Sequence, residues 1–128
     1  MLLKINLQSE VPIYEQLKNQ IIKGIAQGHL KEGECMPSVR QLASDIGINL
    51  HTVNKAYTIL KNEGFLAIHR RKNVVVNTYE AMKKQDITEK LTQHITPLIA
   101  EAICRGLSAE KLNCLVKDVY NSIKNKEE

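Results

Sequence analysis

A mainly α fold with a small β wing is what three features of this sequence predict. Two short helical patterns meet across a glycine turn between Ser38 and Lys61, a basic hairpin pattern follows them, and a longer helix with an apolar stripe precedes them. Together they describe a winged helix-turn-helix domain over residues 1–77, with a two-helix segment over residues 78–128.

The helix-turn-helix carries the most information. Ser38 is placed to cap its first helix, and Gln41, three residues on, is placed to reach back and close a capping box ahead of Val39, Leu42, Ala43 and Ile46. Gly47 supplies the turn, in a backbone conformation that side chains disfavour. Ala43 is small, as a close helix crossing requires. Asn49 is a good N-cap for the second helix, on which Val53, Ala56, Tyr57 and Leu60 follow the spacing of one buried face. The opposite face carries His51, Thr52, Asn54, Lys55 and Lys61.

Gly64 is placed to end that helix. Phe65 to Ile68 and Val74 to Val76 then read as two short strands around His69-Arg70-Arg71-Lys72-Asn73. A charge run of this kind is usually a solvated turn, but directly after a helix-turn-helix a basic hairpin tip reads as a DNA-contacting wing. Ahead of the motif, Pro12 to Gln27 reads as a helix: Pro12 suits the first position, Glu10 favours the positive end of the dipole, and Ile13, Leu17, Ile21 and Ile25 recur every fourth residue. Gly28 ends it, and the loop to Pro37 is expected to tuck Leu30 and Met36 into the core. The opening alternation Leu3, Ile5, Leu7 suggests a short strand.

The stretch from Pro12 to Phe65 resembles the DNA-binding domain of GntR-type bacterial transcription regulators. The resemblance rests on P-x-Y-x-Q at the opening, G-x-L before the loop, then P-S-x-R-x-L-A and T-V-x-K-A-Y-x-x-L-x-x-x-G in the family's order and spacing. Two positions depart from the pattern. Leu50 stands where the family usually has arginine, so no operator carries over from relatives, and Arg70-Arg71-Lys72-Asn73 replaces a glycine-rich wing tip, which shifts the wing towards charge.

The larger GntR-type regulators append a ligand-binding domain of well over a hundred residues; here only Thr78 to Glu128 remains. That remainder reads as one helix from Tyr79 to Arg105, kinked or interrupted by Pro97, and a second from Ala109 to Lys124 that Ser108 and Glu110 start. Ile87, Leu91, Leu98, Ile99, Ala102 and Ile103 stripe the first, and Leu112, Leu115, Val116, Val119, Tyr120 and Ile123 stripe the second. The tail resembles that of the YtrA-type branch, and the resemblance implies dimerisation through these residues. Two helices cannot enclose a core alone, so the stripes need a partner surface; packing back onto the chain's own winged helix is the alternative.

Composition agrees: 43% hydrophobic and 25% charged residues are ordinary for a globular chain. Residues 1–76 hold ten Lys and Arg against six Asp and Glu, whereas residues 77–128 hold eight against eight, so the net +4 lies in the expected DNA-binding part. The longest apolar runs are only a few residues, and neither a membrane span nor a signal peptide is visible, which leads to the expectation of a cytoplasmic protein. Cys35, Cys104 and Cys114 form no C-x-x-C pair and read as reduced thiols, the latter two as small apolar residues of the tail. No phosphate loop, nucleophile motif or metal-ligand spacing among His29, His51, His69 and His94 points to an enzyme, a metal or a cofactor.

The expectation is a homodimeric, sequence-specific transcription regulator, a repressor by resemblance, on a pseudo-palindromic site in double-stranded DNA. A winged-helix adaptor of replication or partition type is the alternative, and the effector, if any, is not legible. The expected DNA-facing residues are Ser38, Arg40, Asn49, Leu50, His51, Thr52, Asn54, Lys55, Arg70, Arg71 and Lys72.

Overall fold

The computed structural model describes residues 3–125, and its elements run α1 Ile13–Ala26, α2 Val39–Ile46, α3 Leu50–Asn62, β1 Leu66–Ile68, β2 Val74–Val76, α4 Tyr79–Met82, α5 Thr88–Cys104 and α6 Ala109–Lys124. They form two compact units, Met1–Met82 and Lys83–Glu128.

One core holds the first unit together. Leu17, Ile21 and Ile25 from α1 meet Leu42 and Ala43 from α2, and Val53, Ala56, Tyr57 and Leu60 from α3. Leu30 and Met36 from the loop are buried as expected, as are Leu66 and Val76 from the wing. Leu17, Ile21 and Ile25, every fourth residue of α1, are buried on the helix that packs along α3, each worth about 1.5–3 kcal/mol, while Ile13 stays half-buried. The Tyr57 ring is fully buried, and its hydroxyl donates to the Pro37 carbonyl oxygen at 2.7 Å, which ties α3 to the loop that enters α2.

The caps set the angle between α2 and α3. Ser38 Oγ accepts from Gln41 N–H at 3.0 Å. The reciprocal half of the expected capping box is absent, because the Gln41 amide donates along the helix to Asp45 Oδ1 at 2.7 Å. Gly47 is left-handed, with φ 67°, and a Cβ built there meets nothing within 4 Å. Its requirement is therefore backbone conformation, not space. Asn49 Oδ1 accepts from His51 N–H at 2.7 Å and starts α3.

The wing is a two-stranded antiparallel hairpin in which Leu66 faces Val76 and Ile68 faces Val74. It gains a third edge that the sequence concealed. Val76 N–H donates to Glu34 O, Met36 N–H to Val74 O and Gly33 N–H to Val76 O, with Cys35 bridging Val75. The loop before α2 therefore braces β2 from outside.

The opening segment forms no strand among the described residues. Glutamines of α1 hold it instead: Asn6 N–H donates to Gln16 Oε1 at 2.8 Å, the Gln16 amide donates back to Asn6 O at 3.0 Å, and Lys4 and Gln20 pair in the same two-way manner. Two side-chain amides one helical turn apart thus imitate a strand edge, while Leu3 and Ile5 pack on the core.

The single helix expected from Tyr79 to Arg105 is two. Thr78 Oγ1 accepts from Ala81 N–H and starts the short α4, whose Met82 packs on the first unit's core. The chain then turns, and Asp86 Oδ1 accepts from Thr88 N–H at 2.9 Å to begin α5. That bond and a second from the Thr88 side chain hold the Asp86 carboxyl below its usual range. The first compact unit thus includes α4 and closes at Met82. Pro97 does not interrupt α5, which runs from Thr88 to Cys104. Within it, the hydroxyls of Thr92 and Thr96 donate to the carbonyls of Thr88 and Thr92. Ser108 caps α6 by accepting from Lys111 N–H. Cys104 and Cys114 are exposed, not packed as small apolar residues.

Candidate nucleic-acid interface

The interface is built on α3, whose inner face the core claims and whose outer face is left to solvent. His51, Asn54 and Lys55 are exposed, and Thr52 is half-buried, so part of its role is packing. Leu50, in the first turn, is 36% exposed, an apolar residue at the tip of an otherwise polar surface. Asn49 spends its side-chain oxygen on the cap and keeps only its NH2 for another partner. Ser38 spends its oxygen likewise, and Arg40, in the first turn of α2, is exposed.

The wing packs against α3 through β1 and projects its tip outward. At that tip, Lys72 N–H donates to His69 O at 2.8 Å and His69 N–H to Asn73 O at 2.7 Å. This is a type I turn closed by a bulge whose last position is left-handed, and that position is usually glycine. Lys72 occupies it with φ 65°, the one non-glycine positive φ among the described residues. Arg70, Arg71 and Lys72 are all exposed and pair with no carboxylate among the described residues. Four cations, these three and Arg40, thus carry uncompensated charge on the exposed surface of α2 and the wing.

Lys55 differs from them. Its Nζ lies 4.0 Å from the centroid of the Tyr14 ring, at the start of α1. Tyr14 was no part of the site expected from sequence; helical spacing puts it beside the core, and nothing local signals its contact with a residue 41 positions later. Among the described residues, no group of three or more His, Cys, Asp or Glu side chains is placed to hold a metal ion.

A mainly α unit with an outward helix-turn-helix face and a basic wing matches the model of the "Bacterial regulatory proteins, gntR family" over residues 13–76. The chain belongs to the GntR family. The likeness extends beyond that domain: the HTH-type transcriptional repressor YtrA of Bacillus subtilis is 32% identical over 96% of this chain and 95% of its own length. A shorter stretch, half of this chain and 26% of the relative, is 41% identical to the transcriptional repressor NagR of the same organism. Among solved structures, a transcriptional antiterminator from Listeria monocytogenes superposes with a TM-score of 0.82 at 30% identity, covering 96% of this chain and 92% of its own. YtrA from Sulfolobus acidocaldarius, a GntR-family transcription factor, gives 0.66 at 40% identity over 78% of this chain and 99% of its own. This GntR-family protein is a DNA-binding transcription regulator of YtrA-like build. The two Bacillus subtilis relatives are transcriptional repressors.

The second unit leaves most of its apolar side chains exposed. No side chain of α5 or α6 is buried. Leu98 is 66% exposed and Tyr120 64%. Ile87, Leu91, Leu115, Val116 and Val119 are at least half exposed, while Ile99, Ala102, Leu112 and Ile123 are half-buried. Arg105 pairs with Glu101 one helical turn back, at 2.9 Å. No helix among the described residues is long and apolar enough to cross a membrane.

Proposed function

We propose that this GntR-family protein is a cytoplasmic homodimeric repressor that binds a pseudo-palindromic operator. The observation that carries this reading is the division of labour between the units: a polar and cationic outer face on the first, and an uncovered apolar stripe on the second. An exposed stripe of this length is a liability for a lone chain and an asset for a pair. Helices α5 and α6 of two copies, related by a two-fold axis, cover each other's Leu91, Leu98, Leu115, Val119 and Tyr120. A two-fold protein then meets a two-fold site, with half-sites one helical turn apart or a multiple of it.

Each α3 enters a major groove. Leu50 cannot donate a hydrogen bond, so it meets a thymine methyl, where an arginine would have taken a guanine. His51, Thr52 and Asn54 read base edges; Lys55, Arg40 and the caps Ser38 and Asn49 meet phosphates. Arg70, Arg71 and Lys72 hold the backbone or enter the minor groove, and each phosphate they neutralise releases counterions, which favours binding most at low salt. Repression follows when the occupied site overlaps a promoter, and the full-length likeness to a repressor supports that sign over activation. Selection of duplexes from a random pool with the full-length protein tests the reading. Enrichment of an inverted repeat is expected; a single asymmetric half-site, or no enrichment, would overturn it.

A further inference from the structure

We propose that Tyr14 is a positioning residue for DNA recognition, its ring fixing the Lys55 ammonium in place before DNA arrives. The inference rests on the reading of α3 as the groove-facing helix. Lys55 Nζ stands 4.0 Å from the ring centroid, well inside the roughly 6 Å reach of a cation–π contact. Two different helices supply the pair, and each partner is anchored. Tyr14 is half-buried and packs on the core at the start of α1, while Lys55 is rooted in α3, which packs along α1.

The choice of a ring has a chemical consequence. A carboxylate in the same place would hold the lysine equally well and cancel its charge. A ring face attracts the ammonium without a counter-charge, and Lys55 pairs with no carboxylate among the described residues. The held cation therefore keeps its attraction for phosphate. A free lysine must surrender its rotamer freedom when it makes that contact, whereas a lysine already laid over a ring has surrendered part of it on folding. Beyond packing on the core, the Tyr14 hydroxyl makes no hydrogen bond among the described residues, while Gln16, its neighbour in the P-x-Y-x-Q opening, holds the N-terminal segment.

A double-mutant cycle on the full-length protein tests this, with the duplex enriched from the random pool as probe. Tyr14→Leu should weaken binding about 2- to 5-fold per half-site, Tyr14→Phe should bind like wild type because it keeps the ring face, and Tyr14→Leu should cost nothing further in a Lys55→Met background. In the free wild-type protein, the Lys55 ε-methylene protons should show the upfield shift of a ring-current neighbour. An equal Tyr14→Leu loss in both backgrounds, or no upfield shift, overturns the proposal, and the second readout needs no variant to fold. If the wild-type protein enriches no duplex, the groove-facing reading of α3 falls and the proposal with it; if it enriches one but the cycle shows no coupling, the role of Tyr14 alone falls.

Discussion

Lys72→Gly should make the protein more stable and its DNA complex weaker. Lys72 holds the left-handed corner of the wing with φ 65°, a conformation that costs a side-chain-bearing residue about 1–2 kcal/mol. Glycine relieves that cost but loses more freedom on folding, about 0.5–1 kcal/mol. The net gain is roughly 0–1.5 kcal/mol, and its midpoint of about 0.75 kcal/mol corresponds to about 3–6 °C in the melting temperature of a unit of this size. Binding moves the other way. One phosphate contact is lost per protomer, so the slope of log K against log salt should fall in magnitude by about 1.8 units for a dimer, at about 0.9 per contact. Lys72→Asn separates the two effects, since asparagine tolerates the left-handed region without glycine's entropy. Thermal unfolding and fluorescence anisotropy across a salt series read both quantities. A destabilised Lys72→Gly protein would refute the strain argument, and an unchanged slope would refute the contact.

Three further outcomes are expected. Replacing both Arg70 and Arg71 by Ala should lower the magnitude of the salt slope by roughly 2 to 4 units per dimer; lost affinity at unchanged slope would mean they do not touch phosphates. On α3, His51→Ala should relax preference at one operator position by about 1–3 kcal/mol and Lys55→Ala should weaken all sequences alike, as binding to every single-base operator variant would report. Burial pushes the Tyr57 hydroxyl well above its usual value, so the folded state holds that proton more tightly than the unfolded chain does. Stability is then fully present below about pH 10 and falls as pH rises past the unfolded value. Tyr57→Phe should flatten that alkaline fall, at a cost of about 1–3 kcal/mol for the orphaned Pro37 carbonyl, both measurable by denaturant unfolding as a function of pH.

The helices were legible in sequence where one residue type answered one physical demand. Ser38, Gly47, Asn49 and Ser108 mark helix ends because capping and left-handed φ are local requirements, and the fourfold apolar spacing in α1 marks its buried side. Demands met across the chain were not legible. Nothing local in Glu34-Cys35-Met36 announces pairing with β2, and nothing in Leu3 to Leu7 announces that glutamine side chains, rather than another strand, would satisfy its backbone. The break before α5 was missed for a different reason. No glycine or proline marks the polar stretch 83–86, and only the short Asp86-to-Thr88 cap, easily read as one more polar pair on a helix surface, signals the restart. In the candidate site, exposure on α3 and at the wing followed from periodicity, whereas the Tyr14 contact with Lys55 depends on how α1 crosses α3, which periodicity does not encode.

The central claim is that the second unit joins two chains, and light scattering on the full-length protein beside a chain ending at Met82 tests it most directly. A full-length dimer is expected, with two chains on one selected duplex, and a folded monomer for the truncated chain that binds the same duplex more weakly. A full-length monomer, or a truncated chain that still dimerises and binds with unchanged affinity, would contradict it.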